Sequence, residues 1–63
     1  MEKKYLIVEV DINDWDDYCT VQRTVLQITD ADGMKAFQGG SYDIYEILEG
    51  DKLNLIQDGE RPI

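Results

Sequence analysis

Thr20-Val21-Gln22-Arg23-Thr24-Val25-Leu26-Gln27-Ile28-Thr29 decides the fold class of this chain. Thr20, Val21, Thr24, Val25, Ile28 and Thr29 are β-branched, six residues in ten. Branching at Cβ restricts side-chain rotamers in a helix and suits a pleated surface, so residues 20–29 are expected to be a strand. The apolar positions change parity between Val25 and Leu26, which predicts a bulge or bend there.

Upstream, Lys4 to Ile12 reads as a second strand. Leu6, Val8, Val10 and Ile12 alternate with Tyr5, Ile7, Glu9 and Asp11, the period-two signature of a strand with one buried face. Between the two lies a polar segment, Asn13 to Tyr18. Asn13 and Asp14 are turn formers, which favours a loop. They could also cap a short helical turn over 13–18, with Asp16 and Asp17 complementing the positive end of its dipole.

Downstream, Asp30-Ala31-Asp32-Gly33 reads as a turn into a short strand, Met34 to Gln38, which Gly39-Gly40-Ser41 breaks. Tyr42 to Glu49 and Lys52 to Gln57 flank Gly50-Asp51, a type II′ hairpin signal that would set Glu49 opposite Lys52 and Leu48 opposite Leu53. The competing reading of 41–50 is a short helix capped by Ser41 and closed by Gly50. Residues 58–63 hold the only proline and read as a tail. The expectation is an all-β domain spanning residues 1–63, a five-stranded antiparallel meander or small SH3-like barrel.

A chain of 63 residues buries only ~60% of the surface its unfolded form exposes, so its own core leaves a thin margin. Cys19 is the only cysteine and histidine is absent, so neither an internal disulfide nor a thiolate or imidazole zinc site is open to it. Self-association into a dimer or larger homo-oligomer is then the expected staple, with Tyr5, Ile7 and Tyr45 as a candidate exposed strip. A lone thiol fits a reducing cytoplasm. The longest apolar run, Tyr5 to Val8, is too short for a signal h-region or a membrane span.

Fourteen Asp and Glu against six Lys and Arg give a net charge of -8. Direct binding to nucleic acid or anionic lipid needs the opposite balance, so the partner such a surface suits is a basic protein. The 43% apolar content is too high for a disordered acidic tail.

Catalytic signals are missing from the sequence, and no enzyme activity and no cofactor are expected. Cys19 has no histidine to activate it, and Asp16 and Asp17 disfavour its thiolate. Calcium loops fail by register. Placing Asp30, Asp32 and Gly33 at positions three, five and six puts Ile28 at position one and Gly39 at position twelve; starting at Asp11 puts Trp15 at position five. Gly39-Gly40-Ser41 lacks the lysine and further glycines of a phosphate loop.

What remains is Glu9 to Tyr18, five carboxylates and two large aromatics in ten residues. Glu9, Asp11, Asp14, Trp15, Asp16, Asp17 and Tyr18 are the candidate partner-binding residues. Trp and Tyr are enriched at binding hot spots, and the carboxylates supply steering toward a basic partner. The bland alternative is a solvated acidic loop with Trp15 tucked over a small core. The expected function is that of an inhibitor or adaptor that mimics a nucleic acid. Two alternatives are an oligomeric small-molecule binder with sites between subunits, where Arg23, Lys35, Lys52 and Arg61 could converge, and a structural subunit. In size and charge the chain is similar to phage-encoded antagonists of bacterial defence nucleases, a likeness of composition and not of motif.

Overall fold

The structure is a computed structural model that describes residues 3–15 and 18–60, with the backbone alone at Asp14, Trp15, Tyr18 and Cys19. Strands β1 (Lys4–Trp15), β2 (Tyr18–Thr29), β3 (Tyr42–Ile47) and β4 (Leu53–Gln57) form one open antiparallel sheet in the order β2-β1-β3-β4. One short helix, α1 (Ala31–Lys35), lies in the connection between β2 and β3.

The chain is thus mostly β, but with four strands among the described residues and not five, and with no barrel closure. The sheet is not a meander either, because β3 returns past the first hairpin to pair with β1. The expected strand from Met34 to Gln38 is instead the end of α1 and the turn after it. The cause is local capping. The Asp30 carboxylate accepts from the Gly33 N–H at 2.9 Å and the Asp30 carbonyl accepts from Met34 N–H at 2.9 Å, so the helical turn satisfies donors that a strand there would leave without a neighbour.

β1 buries residues of both parities, Tyr5 and Ile7 on one face and Val8 and Val10 on the other, which corrects the expectation of one buried face. Tyr5 and Ile7, assigned to the outer side by alternation, are buried with Met34 and Ile44, and Phe37 and Tyr42 pack against them. They cannot form the exposed strip proposed for self-association. Ile7 and Ile44 are 0% exposed, and each such burial contributes ~1.5–3 kcal/mol. Phe37 and Tyr42 meet edge to face with ring centroids 4.9 Å apart.

The parity change in β2 does produce a bulge. Ile7 pairs with Gln27 and Val8 with Val25, leaving Leu26 as the extra residue. The β3–β4 connection keeps its hairpin but not its expected register: Ile47, not Leu48, lies opposite Leu53. Gly50 (φ 74°) and Asp51 (φ 60°) are both left-handed, making a 3-10 turn over Glu49–Asp51 where one positive φ was expected. Within the described part of the tail, Asp58 to Glu60 folds back on the sheet. A Cβ on Gly59 would overlap Val10 Cγ2 and crowd the Tyr42 backbone, so only glycine fits this approach.

Candidate functional site: an acidic arm

The last β1–β3 pair is Glu9 opposite Tyr42; beyond it β1 pairs with β2 alone, out to Trp15 opposite Tyr18. Residues 10–15 and 18–23 therefore extend from the four-stranded body as a two-stranded arm, ~20 Å long at the rise of a strand. The segment read as a loop or helical turn is strand through Trp15 and again from Tyr18. Strand pairing explains the outcome: in this ladder Thr20, Val21 and Cys19 have partners in Asn13, Ile12 and Asp14, so the β-branched run carries its neighbour with it.

Glu9 and Asp11 sit two residues apart and both are exposed. They point to the side of the sheet that carries α1, with their backbone positions ~6.8 Å apart along the strand. Among the described residues, no cation pairs with either. Asp14 and Trp15 end β1, Tyr18 begins β2, and Asp16 and Asp17 lie outside the described residues. The structure thus places Glu9 and Asp11 on one edge of a groove and sets the backbone of Asp14, Trp15 and Tyr18 farther along the same arm.

The groove, of ≈ 580 Å³, is open and lined by Glu9, Val10, Asp11, Ile12, Ser41 and Tyr42. Ser41 and Tyr42 were not singled out as site residues. Nothing local in the sequence points to them, because they reach the arm only through the pairing of β1 with β3. The Val10 N–H donates to the Ser41 carbonyl at 2.9 Å, which fixes this floor to the base of the arm.

Two buried polar side chains brace the arm's root. Asp43, 2% exposed, accepts from Arg23 Nε at 2.8 Å and from the Gly59 N–H at 2.6 Å. Arg23 also donates to Glu60, and these two carboxylates hold its guanidinium pKa above its ordinary value, the contact with Glu60 being the larger cause. Gln57 ties down the segment leading into β3. Its Oε1 accepts from Gly39 N–H at 2.9 Å, and its Nε2 faces the carbonyls of Phe37, Gly40 and Tyr42 at 3.1, 3.3 and 2.8 Å. Elsewhere Lys3 donates to Glu46, which raises the lysine pKa, and Lys35 approaches Asp32 at 3.9 Å.

Arg23 and Lys35 are therefore engaged within the chain, which weakens the idea that they converge on a phosphorylated ligand. Among the described residues no three acidic, cysteine or histidine side chains are placed to hold a metal ion, and no helix is long and apolar enough to cross a membrane. No family model, curated protein or solved structure matches the chain.

Proposed function

We propose that this chain is a binding protein that presents the acidic face of its arm to a basic protein surface, in the place of nucleic-acid phosphates, and so acts as an inhibitor or adaptor without catalysis of its own. The observation that carries the reading is the pair Glu9 and Asp11, exposed and uncompensated among the described residues, in an open groove that Tyr42 also lines. An arginine or lysine entering there meets carboxylates on one side and an aromatic on the other, the two groups that attract a cation at close range. Glu9 and Asp11, two residues apart on one face of β1, set two carboxylates about one strand repeat apart, a short counterpart of two neighbouring phosphates. The net charge of -8 adds long-range steering, screened beyond ~8 Å at physiological ionic strength. The lone thiol fits a cytoplasmic setting for this role, and the compositional likeness to phage antagonists of defence nucleases agrees with it.

The test is stopped-flow association with an arginine-rich peptide at low salt. Combining Glu9→Gln, Asp11→Asn, Asp14→Asn, Asp16→Asn and Asp17→Asn is expected to slow association by about tenfold or more. An unchanged rate would overturn the proposal. The second reading, a small-molecule binder, is favoured by the same acid-lined groove only for a cationic ligand.

A further inference from the structure

The sheet face opposite α1 is apolar and largely bare. One row of directly paired residues crosses all four strands: Ile28 on β2, Leu6 on β1, Tyr45 on β3 and Leu55 on β4. Val25 with Val8 lies on one side of the row and Ile47 with Leu53 on the other. Val25 is 64% exposed, Ile28 61%, Leu55 51% and Leu53 50%. The fold-back of 58–60 touches this face at Val10 and Asp43, at the root of the arm.

We infer that this face is the interface of a homodimer, two copies packing belt against belt as the two sheets of a sandwich pack. Area supports a second copy. A folded monomer of 7.3 kDa is expected to expose ~4,200 Å², whereas this chain exposes 4883 Å². The surplus, about 700 Å², includes the projecting arm as well as this face, and a standard interface takes ~800 Å² from each partner.

Charge supports the same choice. Two chains of net charge -8 repel unless they meet where the carboxylates are not. Glu9, Asp11 and Glu46 all project to the α1 side, while on the belt side Asp43 and Glu60 share Arg23 at the root of the arm. An acidic membrane surface is disfavoured by that same charge, and a basic partner would be drawn to the other face. Because a two-fold interface is self-complementary, one apolar belt suffices for both copies. In such a dimer both acidic arms keep their carboxylate faces outward, so the assembly is bivalent toward basic partners.

Sedimentation equilibrium of the full chain, from low-micromolar to submillimolar concentration, tests this. The wild type is expected at twice the chain mass, and Ile28→Glu and Leu55→Glu are each expected to raise the dimer dissociation constant at least tenfold while keeping the far-ultraviolet circular dichroism of the fold. Asp11→Asn leaves the dimer intact, so failure of this interface and failure of the arm as a binding surface are told apart. If a glutamate variant unfolds, a mixed-label wild-type sample decides by intermolecular methyl contacts among Leu6, Val25, Ile28, Leu53 and Leu55. A wild type that stays monomeric, or binds neutral lipid vesicles as a monomer, overturns the inference. So does a dimer that survives both substitutions, or one without those methyl contacts.

Discussion

At the scale of single residues, two buried polar side chains carry more of the architecture than their number suggests. Gln57 faces four backbone groups from Phe37 to Tyr42, and replacing it with leucine takes that partner from the Gly39 N–H and from the Gly40 and Tyr42 carbonyls, while the Phe37 carbonyl keeps the Gly40 N–H. Gln57→Leu is expected to cost about 3 kcal/mol in urea unfolding, from unpaired backbone groups rather than lost apolar contact. Asp43→Asn keeps the shape and one acceptor but loses the charge, and about 2 kcal/mol of stability should go with it. The same unfolding series measures both. A variant as stable as the wild type would remove that side chain from the account. The sequence shows Asp43 as a carboxylate inside an apolar strand, which requires some partner. It does not show which, because Arg23 and Gly59 stand 20 and 16 residues away along the chain.

At the scale of elements, legibility follows how local each cause is. The β-branched run of β2 and the parity break that makes the Leu26 bulge are properties of adjacent residues, and both are visible in the sequence. The helix α1 is local too, yet the same four residues, Asp30 to Gly33, serve equally as a turn or as the cap and first turn of a helix. Hydrogen bonding to Gly33 and the burial of Met34 select the helix. Asp30→Ala is expected to cost about 1 kcal/mol in equilibrium unfolding, the usual worth of an N-cap; no loss would mean that packing of Met34 alone holds α1. The arm itself was half legible. Its carboxylates and aromatics stand out in the sequence, whereas its form, strands running to Trp15 and from Tyr18 instead of a loop, depends on cross-strand partners. The groove floor of Ser41 and Tyr42 depends on a pairing between β1 and β3 that no local pattern encodes.

At the scale of the whole molecule, composition announces a small acidic domain and the structure distributes the charge. Glu9 and Asp11, with no cation partner among the described residues, lie on the α1 side of the sheet, and the exposed Val25, Ile28, Leu53 and Leu55 lie on the other. Alternation along β1 assigned these faces in reverse at Tyr5 and Ile7, because a strand at the centre of a sheet with apolar residues on both sides carries no parity signal for which side a helix will cover. A chain divided this way can use one face to associate with its own copy and the other to meet a basic partner.

The most direct test of the acidic arm is an amide chemical-shift titration of the labelled protein with an arginine-rich peptide, at low and at high salt. The account predicts shifts concentrated at Glu9, Asp11, Ser41, Tyr42 and the outer arm, fading as salt rises. Shifts spread evenly over every acidic residue, or centred on Glu49 and Asp51 at the opposite turn, would contradict it.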